Sequence, residues 1–265
     1  MGNKLALSDD ILMRVEKPAR YIGNERNATI KDLSSVKIRF AMCFPDVYEI
    51  GMSNIGIQIL YEMMNRRADV YCERVYSPWP DLDKIMRDEN IPLFSLETQS
   101  PIKDFDFLGI TLQYEMCYSN ILQILDLSGI ALRSSDRNED DPIVMAGGAC
   151  TYNPEPVAAF FDLIYIGEGE TSFDPLFDIY NKMKEDGTYS RVAYLREASK
   201  VPGIYVPSLY DVTYNEDGTV KSFEPKYEDV PKTIRKQVIT DLSNGPYPTK
   251  PIIPYIQVTQ DRAVL

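Results

Sequence analysis

The 265-residue sequence contains no histidine. Serine–histidine and cysteine–histidine relays are therefore excluded. Cysteine is scarce: Cys43, Cys72, Cys117 and Cys150 are the full set, and no two lie within four residues of each other. That spacing matches neither a zinc site nor an iron–sulfur motif, so no metal site is expected and free thiols are the expected state. Long apolar runs are missing as well. No stretch of 18 apolar residues occurs, so no transmembrane helix is expected. The opening "MGNKLALSDD" turns acidic at once, unlike a secretory signal, and the cytoplasm is the expected compartment.

Positive charge is in deficit. Lys and Arg number 28 against 40 Asp and Glu, for a net charge of −12. A general nucleic-acid surface needs clustered cations to displace counterions, so this balance argues against one, although a local basic patch stays open. No G-x-G-x-x-G follows the first apolar run, and no G-x-x-x-x-G-K-[ST] occurs anywhere. The dinucleotide and P-loop patterns are thus missing.

What is present is an alternation. Residues 1–35 read as an N-terminal arm, with "SDDILMRVEK" a short helix capped by Ser8. From 36 to 187, apolar runs alternate with helical stripes. "VKIRFAMCF" (36–44), "DVYCERVYS" (69–77), "FDFLGITLQ" (105–113), "DPIVMAGGA" and "FDLIYIGEG" read as buried strands, and "PLFSLET" as a further short one. "PDVYEIGMSN" reads as a loop. "IGIQILYEMMNR" (55–66) predicts a helix with Ile55, Ile59, Leu60, Met63 and Met64 on its buried stripe. "WPDLDKIMRDEN", "CYSNILQILDLSGI" and "TSFDPLFDIYNKMKEDG" supply further helices, the last with Thr171 and Asp174 at capping-box spacing. This order predicts a doubly wound, mainly parallel α/β sheet of the flavodoxin or Rossmann kind. Residues 188–265 change texture and read as a β-hairpin extension over 205–225, turning at 215–218, followed by a proline-rich linker. The ending "TQDRAVL" (259–265) reads as an interrupted strand, so a longer natural chain is expected.

In such a fold every strand-to-helix turn meets on the carboxyl edge of the sheet, where ligands bind. Four turns qualify: residues 44–56, 111–120, 146–156 and 166–172. Asp46, Tyr48, Gly51, Thr111, Gly147, Gly148, Gly167, Glu168, Gly169 and Glu170 are the candidate cofactor-binding residues on them. Segments 40–65, 104–132 and 142–181 hold no Lys or Arg, while Asp46, Glu49, Glu115, Glu155, Glu168 and Glu170 all fall within them. A phosphate there would meet carboxylates without a cationic partner. Glu168 and Glu170 suit a metal or an acid–base pair in principle, but acidic residues are common at helix starts, and that simpler role is expected of both. No catalytic residue is assigned.

Two of these turns carry a resemblance. "GGACTYNPEP" followed by "DLIYIGEGETSF" is similar to the N-terminal cobalamin-binding-like domain of radical S-adenosylmethionine proteins, over about residues 36–185. "RYIGNE" and "FPDVYEIGMSNIGIQILY" resemble one bacterial subfamily of unassigned function. The resemblance implies a downstream domain in the same chain, with C-x-x-x-C-x-x-C binding a [4Fe–4S] cluster whose open iron holds S-adenosylmethionine. This sequence lacks that motif, so no cofactor is expected within it, and it is expected to be inactive alone. Histidine-ligated cobalamin domains carry D-x-H-x-x-G after the first strand. Here that slot reads Asp46, Val47, Tyr48, Glu49, Ile50, Gly51. A phenol with pKa near ~10 is a poor metal ligand at pH 7, so cobalt ligation is not expected. The expected role is an accessory domain shaping the substrate or cofactor side of a radical enzyme's active site. A flavin- or nucleotide-binding flavodoxin-like module and a pure protein-interaction domain are the alternatives.

Overall fold

The apolar runs build one mixed sheet. The computed structural model describes residues 7–171, 173–241, 243 and 245–254. In chain order the elements are α1 (Asp9–Met13), β1 (Ile38–Phe44), α2 (Tyr48–Met52), α3 (Ile55–Arg66), β2 (Val70–Tyr76), α4 (Pro80–Glu89), β3 (Phe107–Thr111) and α5 (Tyr118–Leu127). Then follow β4 (Ile143–Gly147), β5 (Leu163–Tyr165), α6 (Phe173–Glu185), α7 (Arg191–Ala198), β6 (Ile204–Tyr205), β7 (Tyr210–Tyr214) and β8 (Val220–Pro225). The sheet order is β2-β1-β3-β4-β5-β6. The first five strands run parallel and β6 closes the row antiparallel. The chain starts in the interior at β1, moves outward to β2, then crosses back to β3. The strand order therefore reverses between β1 and β3, the switch point where open α/β sheets leave a crevice.

Helices cover both faces. Arg67, at the end of α3, pairs with Asp174 and Asp178 of α6, at 3.1 and 2.7 Å. Arg87 of α4 pairs with Asp126 of α5 at 2.5 Å. The strands are sandwiched between these layers, which is why β1, β3, β4 and β5 read as nearly unbroken apolar runs. Under α6 the core is aromatic. Phe40 of β1 lies edge-on to Phe173 and Phe177, with ring centroids 5.8 and 5.9 Å away, a geometry that aligns ring edges with ring faces. Gly109 makes room for this cluster: a Cβ there would stand 2.4 Å from the Phe40 ring.

β2 is an outer strand, yet all seven of its residues are buried. An uncovered strand edge leaves unpaired backbone groups. Here the arm and the 93–101 segment cover them. Lys31 donates to the Val70 carbonyl at 2.5 Å, the Arg74 amide donates to the Glu97 carboxylate at 2.7 Å, and the Leu96 amide donates to the Arg74 carbonyl at 2.9 Å. The arm begins as expected: the Ser8 hydroxyl accepts from the Ile11 amide at 3.4 Å and starts α1.

Several local expectations change. The 45–54 turn contains the five-residue helix α2 instead of a continuous loop. "PLFSLET" is not a strand: only an isolated bridge between Phe94 and Pro101 forms there. In α3 the fully buried stripe is Ile57, Tyr61 and Met64, while Ile55 is 60% exposed because it starts the helix beyond the sheet's edge. Leu60 and Met63 are partly buried against the core. Helix α7 and strand β6 lie past residue 187 and extend the same layers. The β7–β8 hairpin forms with its turn at 215–218, where the Gly218 amide donates to the Asn215 carbonyl at 3.0 Å. The strand expected at 259–265 lies outside the described residues. No helix among the described residues is long and apolar enough to cross a membrane.

Candidate functional site

A cavity of about 170 Å³ opens at the carboxyl edge, between the ends of β1, β3, β4 and β5 and the starts of α3 and α6. Its walls are Phe40 and Met42 from β1, Ile57 and Leu60 from α3, Met145 from β4, Tyr165 from β5 and Phe173 from α6. Thr111, Gly147, Gly148, Gly167, Gly169 and Glu170 line it as well. Six of the ten sequence-selected residues thus meet in one place. The glycines do different jobs. Gly148 has φ +105°, and a Cβ on it would stand 2.8 Å from the Leu112 carbonyl oxygen, so this turn needs glycine. A Cβ on Gly147 would meet nothing within 4 Å.

The other four residues point elsewhere. The Tyr114 hydroxyl donates to Asp46, whose other oxygen accepts the Val47 amide at 2.7 Å. The bond to Asp46, with a smaller effect of burial, pushes the Tyr114 phenol up to about 12. The Tyr48 hydroxyl donates to Glu25 of the arm at 2.9 Å. Burial, reinforced by that carboxylate, raises its pKa well above the ordinary phenol value. Gly51 sits under the Tyr76 ring, where a Cβ would be 2.2 Å away. Asp46, Tyr48 and Gly51 thus tie the first turn to Tyr114, to the arm and to Tyr76 instead of lining the cavity.

Glu168 faces outward. Its carboxylate accepts the Ile239 amide, and its own amide donates to the Gln237 carbonyl at 3.0 Å. The Gln237 amide in turn donates to the Ile166 carbonyl at 3.0 Å. Residues 237–239 therefore lie alongside the end of β5, and the Glu168 side chain is held by that strap, not by a helix start. Further along, the Thr249 amide donates to Glu62 of α3 at 3.2 Å, the Asn27 amide of the arm donates to the Ile252 carbonyl at 3.1 Å, and Ile252 is buried. Thr171 bonds to the Tyr165 hydroxyl at 2.8 Å and to the Glu168 carbonyl at 3.3 Å. Asp174, three residues on, is engaged with Arg67.

The cavity's electrostatics follow from its lining. Among the described residues no Lys or Arg contributes to it, and Glu170 is its charged residue. At the start of α3, the Asn54 side-chain oxygen Oδ1 already accepts the Ile57 amide at 3.1 Å, filling part of the positive helix end. Burial pushes the thiols of Cys43, Cys117 and Cys150 up, which keeps them protonated and weakly reactive. Among the described residues no group of three or more acidic or cysteine side chains could hold a metal ion. Sequence reasoning missed the walls Phe40, Met42, Leu60 and Phe173 and the polar groups of Asn54 and Gln113. Their strand and helix positions look like ordinary core or cap, and only the folded chain turns them toward one space.

Residues 56–207, more than half of the chain, match the family described as radical SAM proteins, N-terminal. The chain is also 30% identical over 191 residues to an uncharacterized protein, MJ0966, of Methanocaldococcus jannaschii, covering 69% of this chain and 36% of that protein. The chain thus spans about a third of that relative's length. No solved structure matches it. The family match includes the ends of β3, β4 and β5 and the start of α6, the same turns that enclose the cavity, and the chain belongs to the radical SAM proteins as an N-terminal region of that family.

Proposed function

We propose that this chain is the accessory N-terminal domain of a radical S-adenosylmethionine enzyme, and that its carboxyl edge forms one wall of the chamber holding that enzyme's substrate or cofactor. One observation carries the reading. The cavity opens on the same edge that the C-terminal strap crosses, bound at Gly167 and Glu168 and then along α3. Residues 248–253 of the strap then run past Met52, Ile55 and Gln58, beside the start of α3 that borders the cavity. The iron–sulfur cluster and S-adenosylmethionine belong to that downstream domain, because the four cysteines here have no cluster spacing and three of them are buried. The cobalamin-binding likeness is one of sheet and turns. Tyr48, in the slot of the usual ligand, gives its hydroxyl to Glu25, so these residues do not fit a protein-ligated cobalt.

The test is a longer polypeptide. The natural coding sequence is extended beyond Leu265 and the product is purified without oxygen beside the 265-residue chain. The extended protein is expected to carry a [4Fe–4S] absorbance and to cleave S-adenosylmethionine under reduction, and the shorter chain to do neither. An extended protein that binds no iron overturns the reading.

A further inference from the structure

We infer that the carboxyl-edge cavity is a binding slot for an uncharged nitrogen heterocycle about the size of a single nucleobase. The inference deepens the accessory-domain reading by naming what that edge recognises, and it rests on that reading only for the biological setting.

Size and shape come first. An apolar cavity of about 150 Å³ is large enough to take up a benzene ring, and this one measures about 170 Å³. Leu60 and Phe173 provide apolar and aromatic surface of the kind that packs on a planar ring. Gly147 adds no side chain, so the space beside it stays open.

Polar chemistry separates a heterocycle from a plain hydrocarbon. Thr111 is only 7% exposed, lines the cavity, and its hydroxyl has no hydrogen-bond partner among the described residues. A buried hydroxyl without a partner is costly, and native proteins rarely keep one without a role. The Gln113 amide and the Glu170 carboxylate also line the cavity, and neither has a partner among the described residues. The Asn54 amide nitrogen is in the same position, since the Asn54 bond uses its oxygen. Together they present donors and acceptors, the pattern that a ring with both N–H and ring nitrogen or carbonyl groups would satisfy. An apolar side chain inserted from another domain would leave all of them unpaired.

Charge sets the remaining limit. With Glu170 in the lining and no cation there among the described residues, a phosphate attached to the ring would be repelled unless it projects into solvent. The slot should therefore prefer a nucleoside to its monophosphate.

The experiment titrates the 265-residue chain with adenosine, uridine, indole and adenosine monophosphate, followed by calorimetry and amide NMR shifts of residues 111–113 and 147–148. At least one of the two nucleosides is expected to bind saturably, at least tenfold more tightly than adenosine monophosphate, with indole weaker than that nucleoside. Gly147→Leu places a side chain in the open space and is expected to weaken nucleoside binding at least tenfold. Thr111→Val removes only the unpartnered hydroxyl and is expected to weaken it about three- to tenfold, the range of one hydrogen bond, without lowering the thermal midpoint. If Gly147→Leu disturbs folding, Thr111→Val decides alone. No saturable nucleoside binding, indole binding as well as the nucleosides, equal affinity for the monophosphate, or unchanged binding in Thr111→Val overturns the inference. A longer polypeptide that still carries its iron–sulfur cluster would then leave the accessory-domain reading intact.

Discussion

Arg74 Nε and a Glu97 carboxylate oxygen meet at 2.6 Å on the outermost strand of the sheet, with both side chains fully withdrawn from water. The second side of the guanidinium is held by Glu25 of the N-terminal arm, also at 2.6 Å. The Glu25 carboxylate accepts the Tyr48 hydroxyl as well. A single buried cation therefore joins the arm, the first strand-to-helix turn, the edge strand and the 93–101 segment. Ion pairs of this kind add little net stability compared with an apolar replacement of the whole group, but removing one member leaves the others charged in a dry environment.

Arg74→Met is accordingly expected to destabilise the fold by about 3–5 kcal/mol, the usual cost of breaking a buried pair. Urea unfolding measures it. A loss below about 1 kcal/mol would mean that water reaches Glu97 and Glu25.

The bond from Tyr114 to Asp46 makes a prediction in alkali. The folded phenol is pushed up to about 12, against about 10 in an unfolded chain. Its folded form holds the proton more tightly, so its contribution to stability is complete below about pH 10 and is lost as the pH rises through about 12. The tyrosinate difference spectrum between the native protein and Tyr114→Phe should show a midpoint near 12. Asp46→Asn should bring it back toward about 10. An Asp46→Asn midpoint that does not move would show that another group sets the shift.

Gly167 has φ +123°, and a Cβ on it would stand 2.3 Å from the Gln237 carbonyl oxygen. Gly167→Ala is therefore expected to cost about 1–3 kcal/mol, the range for an unfavourable backbone region. It should also release the strap. Hydrogen exchange at the Gln237 and Ile239 amides, which bond to the Ile166 carbonyl and to Glu168, is the sharper measurement. Protection equal to the native protein would contradict the pairing.

Gly51→Ala should displace helix α2, because the new methyl would lie 2.2 Å from the Tyr76 ring and 3.1 Å from Phe44 Cβ. Overpacking of this sort costs about 1–3 kcal/mol. Adding Tyr76→Leu should recover part of the loss, a non-additivity expected of touching residues. Additive thermal midpoints in the double variant would place the strain elsewhere.

Much of this was legible from residue order. The nearly continuous apolar character of 36–44 and 105–113 marks strands covered on both faces. Asn215 through Gly218 marks the hairpin turn. The short α2 was not legible, because its five residues have little helical signal and depend on the fit of Gly51 under Tyr76. "PLFSLET" looked like a strand because its apolar residues are buried. Its amides instead bond to Leu127, Ser100 and Arg74, and no ladder results.

The candidate site divides the same way. Sequence alone established a parallel α/β sheet, the absence of an imidazole, and turns rich in glycine and poor in cations, because these follow from composition and from the periods of strands and helices. Only the tertiary structure decided which turns share a cavity. Thr111, Gly147, Gly148, Gly167, Gly169 and Glu170 converge there, whereas Asp46, Tyr48 and Gly51 turn toward Tyr114, the arm and Tyr76, and Glu168 is taken by the strap. Which way a loop side chain turns depends on partners distant in the sequence, and packing brings those partners within reach only when the whole chain folds.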